Sequence, residues 1–290
     1  MRYVTFSTAD DATPRLGVAS GDRVVDLATV ASAVGAERPP TTLLDLIDRG
    51  PTEWVRVADM ATRAAVRTGY AASEIRWHAP IPRPTKNIFC VGRNFAEHAK
   101  EMGASVDKSA PTFFMKPADA VVASGAAIRY PSGTSDLHHE VELVVALKSG
   151  GRDIDVARAL DCVYGYGVGI DLTRRDLQAR AKAKGMPWDT AKGFDESAPV
   201  SAIVPAARCG HPAKGALVLE VNGSVRQQGD VAEMVHSVPE IIVELSRLFE
   251  LAAGDLVFCG TPAGVGPLVA GDAFRATFGG IAALEGRIIA

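Results

Sequence analysis

The chain has 290 residues, with Lys+Arg 31 against Asp+Glu 34 and a formal net charge of −3. A folded chain of this length buries about three quarters of the surface its unfolded form exposes, so no covalent staple is needed to hold a core. Hydrophobic residues at 47% and charged residues at 22% exclude disorder, and the near-neutral balance excludes the basic footprint of a nucleic-acid binder.

Residues 3–7, 15–19 and 23–29 cluster Val, Tyr, Phe and Leu between turn signals and read as a short β-meander. Apolar residues at three- and four-residue spacings predict helices over 43–47 and about 54–66. Pro80, Pro82 and Pro84 make 78–84 a stiff linker, and the boundary is expected between a small N-terminal α/β domain, 1–78, and a larger domain, 79–290. Strands are expected over 87–91, 127–130, 140–147, 163–170, 216–221 and 256–259, with helices over 174–184 and 239–254. The class is α+β, mostly β.

Four cysteines without a Cys-x-x-Cys form neither a disulfide framework nor a zinc ribbon. The N-terminus meets Asp10 and Asp11 before any long apolar stretch, unlike a signal peptide, and no uncharged run approaches the ~18 residues of a membrane helix. A soluble, cytoplasmic protein with no membrane partner is expected.

The run His138-His139-Glu140-Val141-Glu142-Leu143-Val144-Val145 carries the most chemistry. On one strand the two Glu share a face with Cα atoms ~6.7 Å apart. At an effective dielectric of 20, carboxylates ~6 Å apart repel by nearly 3 kcal/mol, which calls for a cation between them. A lone Glu-x-Glu usually lies on a solvated sheet face, but the apolar continuation argues for burial. Asp171, ending the next strand, can complete a set of three oxygen ligands, and carboxylates select a hard ion, Mg²⁺ or Mn²⁺.

Gly92-Arg93-Asn94-Phe95 reads as a turn into a helix capped by Asn94 with Glu97 in a capping box. His98 and Glu101 then share a helical face, a carboxylate beside an imidazole that can act as a general base. Arg175 and Gln178 share another face and suit a planar carboxylate. Lys192, after a Gly185-Met-Pro turn, can offer its ammonium to a developing enolate. Gly260-Thr-Pro-Ala-Gly-Val-Gly266 resembles an anion-cradling loop without the lysine of a P-loop, and Gly165-x-Gly-x-Gly169 has the wrong spacing for a dinucleotide fingerprint. His78, His211 and His236 read as structural.

Taken in order, Gly-Arg-Asn-Phe…His-x-x-Glu, Lys116-Pro117, His-Glu-x-Glu, Asp-x-x-x-Arg-Asp-x-Gln, Trp-x-x-x-Lys and Gly-Thr-Pro-x-Gly-Val-Gly resemble the fumarylacetoacetate hydrolase family over about residues 86–272. The resemblance implies a β-rich catalytic domain and a homodimer. It assigns Glu140, Glu142 and Asp171 to the metal, His98 and Glu101 to water activation, Lys192 to catalysis, and Arg175, Gln178 and Thr261 to substrate. Arg174 departs from the small residue expected there. The closest likeness is to acylpyruvate hydrolases, particularly those of fumarylpyruvate, which implies carbon–carbon hydrolysis of a 2,4-dioxo acid to pyruvate and a second acid. The same chemistry serves oxaloacetate decarboxylation or isomerisation of 2-hydroxyhepta-2,4-diene-1,7-dioate, and a non-catalytic metal- or ligand-binding scaffold is the alternative of another class. For a second substrate carboxylate, Arg93, Lys116 and Arg174 are the candidate cations.

Overall fold

Apart from Glu142, the strands Val141–Leu147 and Val163–Ile170 carry only apolar side chains, tyrosines and glycines, a pattern suited to strands covered on both faces. Both are buried throughout and pair antiparallel at the centre of an eight-stranded sheet. The computed structural model describes residues 2–20, 23–33, 38–63, 69–103, 105–106 and 108–290. Outward on one side the sheet continues through Leu256–Phe258, Ile88–Gly92 and Thr112–Lys116, and on the other through Ala198–Val200 and Val121–Ala123, with Val204–Pro205 also beside Val163–Ile170. The glycine run in Val163–Ile170 serves packing. A Cβ at Gly169 would meet the Phe258 ring at 2.6 Å and Val144 Cγ2 at 2.7 Å.

A five-stranded sheet of Ser224–Asp230, Ala216–Val221, Ala273–Phe278, Ala282–Ile289 and Ala126–Arg129 packs its inner face on this one. Leu217, Leu219, Phe274, Phe278 and Leu284 join Leu143, Val145, Val168 and Ile170 in one core. A three-stranded sheet, Thr173–Arg174, Leu137–His139 and Gly266–Leu268, lies where the site residues gather. The helix Val238–Leu248, opened by a capping box between Ser237 and Glu240, adds Ile241, Ile242 and Leu245 to the core. The expectation of a mostly β, α+β fold holds.

Residues before 79 supply a further five-stranded sheet of their own, ordered Tyr70–Ala71, Arg23–Asp26, Arg15–Ser20, Arg2–Thr8 and Ile75–His78. The expected strand 23–29 stops at Asp26, whose Oδ1 accepts the Ala28 N–H, and Leu27–Ala33 is helical. The helix Pro51–Arg63 replaces the expected 54–66, of which 64–66 lie outside the described residues. The helix expected to run to 254 ends at Leu248, because Phe249 is extended and Leu251 pairs with Gly151. The proline segment is no free linker: Ala79 and Ile81 are buried, and Thr5 Oγ1 donates to Pro80 O at 3.0 Å. Leu16, Leu27, Leu43 and Leu46 share a core with Ile88, Val144 and Phe258.

Candidate active site

Glu140 sits between two strands rather than within one. His139 pairs with Gly266 in the small sheet, and Val141 pairs with Ile170 in the large one. The chain changes sheets at Glu140, whose carbonyl accepts the Asp171 N–H at 2.8 Å. This crossing brings Glu140, Glu142 and Asp171 together: all three are buried, and one carboxylate oxygen from each lies within 4.8 Å of the others. Asp171 Oδ1 is ion-paired with Lys116 Nζ at 2.7 Å, and that ammonium also donates to Leu172 O and Lys192 O. Glu142 has no cationic side chain bound to it among the described residues and accepts only the Gly260 N–H, at 2.7 Å. Burial, reinforced by Asp171 and Glu140, pushes its carboxyl well above the usual range. Three converging buried carboxylates, one of them without a bound counter-charge, fit a hard divalent ion.

Burial opposes ionisation of Glu140 too, but Lys192 and Arg175 outweigh it and hold that carboxyl well below its ordinary value. Lys192 Nζ reaches Glu140 Oε2 at 2.7 Å, Asp171 Oδ2 at 2.6 Å and Thr173 Oγ1 at 2.7 Å. Burial lowers the Lys192 pKa, yet Asp171 and Glu140 raise it further, so the ammonium stays charged. Arg175 donates to Glu140 Oε1 and, at 2.6 Å, to Gln178 Oε1. Both cations hold the cluster while facing the cleft.

His98 Nδ1 lies 3.2 Å from Glu101 Oε2 on the helix Ala96–Glu101. A carboxylate only accepts, so Nδ1 carries the proton and Nε2 is left as the basic nitrogen. Burial, outweighing Glu140 and Glu101, lowers the His98 pKa and favours neutral imidazole. The expected cap is absent, since the helix is entered from Phe95. Asn94 instead ties three segments together: Nδ2 donates to His236 O and Cys259 O, and Oδ1 accepts the His236 N–H.

The Gly260 loop does cradle anions, but they belong to the chain. Gly260 and Gly264 both have φ of +95°. That backbone turns their N–H groups onto Glu142 and Glu101 respectively. One loop therefore positions a member of the carboxylate cluster and a member of the dyad. The cleft is lined by His98, Glu140, Glu142, Arg175, Gln178, Lys192 and Thr261, together with Arg93, Phe114, Lys182 and Trp188.

Of the three cations considered for a second carboxylate, only Arg93 lines this cleft. Lys116 is fully buried beneath Asp171. Arg174 turns away, 4.5 Å from the Phe194 ring centre, and donates to Thr190 O. Lys182 was missed, although its position four residues after Gln178 and seven after Arg175 places it on their helical face. Arg93 and Lys182 approach the Trp188 ring at 6.0 and 5.3 Å. His78 and His211 have structural partners, Ser7 and Tyr166.

Residues 87–289 match the family model described as fumarylacetoacetate (FAA) hydrolase C-terminal. The mitochondrial oxaloacetate tautomerase of Mus musculus is 43% identical over 203 residues, 70% of this chain and 91% of the relative. The crystal structure of fumarylpyruvate hydrolase from Pseudomonas aeruginosa in complex with Mn²⁺ and pyruvate is 45% identical, with a TM-score of 0.69 over 71% of this chain and 91% of that one. The 2-hydroxyhepta-2,4-diene-1,7-dioate isomerase from Mycobacterium marinum is 29% identical, with a TM-score of 0.72 over 100% of this chain and 98% of that one. Matched over most of its length by that model, and carrying a buried carboxylate cluster two of whose members line one cleft with His98, this chain belongs to the fumarylacetoacetate hydrolase family.

Proposed function

We propose that the chain is a divalent-metal-dependent hydrolase that cleaves the carbon–carbon bond of acylpyruvates, with fumarylpyruvate the favoured substrate. The observation that carries this is His98, paired with Glu101, lining the same cleft as Glu140 and Glu142 of the carboxylate cluster. Decarboxylation needs no activated water, whereas hydrolysis does. Glu140, Glu142 and Asp171 would hold Mg²⁺ or Mn²⁺, which when bound supplies positive charge where the pyruvate enolate develops.

Arg175, Gln178 and Thr261 receive and orient the 2-oxo acid end of the substrate. His98 Nε2 takes a proton from the water that adds to the C4 carbonyl, and Glu101 steadies the resulting imidazolium. The C3–C4 bond then breaks, its electron pair passing to pyruvate C3. Lys192 favours the enolate electrostatically, and protonation at C3 releases pyruvate. Arg93 and Lys182, neither paired with a carboxylate among the described residues, would take the carboxylate of the fumaryl tail.

Residues 1–78 are proposed as a small domain supporting a catalytic domain, 79–290. A 79–290 fragment that folds and binds Mg²⁺ would bear this out, and one that aggregates would refute it. The relatives also support a second reading, enol–keto conversion or decarboxylation of oxaloacetate, which needs proton transfer and enolate stabilisation but no hydrolysis. Purified protein with Mg²⁺ or Mn²⁺ is expected to release pyruvate from fumarylpyruvate and acetylpyruvate. Intact acylpyruvates alongside rapid conversion of oxaloacetate would overturn the hydrolase in favour of the second reading.

A further inference from the structure

Gln227 lies on the strand Ser224–Asp230, whose other residues are exposed or half-buried, yet it is itself only 1% exposed. The register against Ala216–Val221 explains why. Leu219 faces Gln227 while Glu220 faces Val225, so Arg226 is an extra residue in a bulge. A bulge re-aims side chains, and this one leaves Gln227 pointing at the site.

All four hydrogen-bonding positions of the Gln227 amide are in use. Oε1 accepts the Val141 N–H at 3.0 Å and lies 2.9 Å from His139 Nδ1. Nε2 donates to Thr261 Oγ1 at 2.8 Å and to Pro262 O at 2.9 Å. A backbone N–H can only donate and a carbonyl can only accept, so Val141 and Pro262 settle which end of the amide is oxygen. Two assignments follow. His139 must carry its proton on Nδ1, and Thr261 Oγ1 must accept from Gln227, leaving its own proton to donate elsewhere. Pro262 O lies 3.5 Å from that hydroxyl, well beyond the roughly 2.5–3.0 Å of an O–H···O bond, so it takes the proton poorly. The remaining direction is the cleft that Thr261 lines.

We propose that Gln227 is a positioning residue that fixes the Thr261 hydroxyl as a hydrogen-bond donor into the cleft, aimed at the carboxylate of the bound 2-oxo acid. The inference rests on the cleft receiving such an acid. Gln227 itself touches neither substrate nor metal ligand side chains; it acts through Thr261.

The test is calorimetric titration of pyruvate into the full chain with saturating Mg²⁺, followed through a double-variant cycle. Gln227→Glu keeps an acceptor for Val141 and His139 but cannot donate, so the Thr261 proton turns back to the new carboxylate. Thr261→Val removes the hydroxyl at constant shape. Each single variant is expected to weaken pyruvate binding about tenfold, the scale of one hydrogen bond to a charged group. The double variant is expected to bind no more weakly than Thr261→Val alone. Losses that multiply would overturn the proposal, because a merely structural Gln227 acts independently of the hydroxyl. Should Gln227→Glu fail to fold, Gln227→Met removes the donor without burying a charge and completes the same cycle. Failure of the unaltered protein to bind pyruvate would refute the 2-oxo acid reading instead. The amide direction is then decided by nitrogen-15 NMR of the His139 ring: a protonated Nδ1 supports it, and an Nε2–H tautomer with bare Nδ1 overturns it.

Discussion

Replacing Gly260 by alanine perturbs the backbone, the packing and the carboxylate cluster at one atom. The left-handed φ of +95° costs an L-residue about 1–2 kcal/mol. The new Cβ would sit 2.6 Å from Asn94 Cβ and 3.1 Å from Val91 O, and Asn94 is itself held by three hydrogen bonds. Relieving such a contact costs about 1–3 kcal/mol. If the loop shifts to do so, the N–H to Glu142 is lost, worth about 1.5–3 kcal/mol for a charged acceptor. Gly260→Ala should therefore lose at least ~3.5 kcal/mol, a fall in Tm of roughly 7 °C or more for a chain of this length. Gly125→Ala is the control: its φ is +86° but nothing lies within 4 Å of the added Cβ, so only backbone strain remains, about 1–2 kcal/mol. Thermal unfolding of both variants, paired with calorimetric Mg²⁺ titration, separates the effects. Equal losses of Tm, with Mg²⁺ affinity unchanged in Gly260→Ala, would refute the claim that this glycine serves Glu142.

Glu142→Gln keeps the acceptor for Gly260 but removes an acid whose ionisation burial, Asp171 and Glu140 oppose when no cation is bound, a cost the unfolded chain does not bear. In chelator its Tm should exceed that of the unaltered protein, while the rise in Tm on adding Mg²⁺ disappears; a preserved Mg²⁺ response would dismiss Glu142 as a ligand. Burial keeps the His98 pKa below its ordinary 6.5, so the base form prevails at neutral pH and is lost only as pH falls through that lowered value. The kcat/KM for acetylpyruvate should thus be flat near pH 7 and drop on the acid side of 6.5, and His98→Ala should lower turnover by ~100-fold or more while leaving Mg²⁺ binding intact. Lys182→Met and Arg93→Met should each cut kcat/KM for fumarylpyruvate about tenfold or more with little change for acetylpyruvate; equal losses on both substrates would remove the tail-binding role.

Much of the core was legible because buried strands repeat Val, Ile and Leu with few charges. The strands expected over 163–170 and 216–221 appear with those bounds. The edge strand Thr112–Lys116 and the largely exposed strand Ala282–Ile289 went unseen, since charges and exposed positions dilute their pattern. The proline segment showed its stiffness in sequence but not its burial, which depends on the side chains that close over Ala79 and Ile81.

Residue chemistry alone picked out the Glu140–Glu142 pair, the imidazole–carboxylate pair and the arginine–amide pair, because each lies within a few residues of chain whose local geometry is nearly fixed, whereas Asp171 was reached from its place at the end of the next strand. Contacts between distant segments were decided only by the folded chain. Lys116 and Arg174 look alike as cations in sequence, yet one is sealed under Asp171 and the other stacks over Phe194. Gln227 carried no signal at all, because a one-residue bulge in pairing with a neighbouring strand determines which way it points. A side chain's type is written locally, but its direction follows from the register in which strands pair.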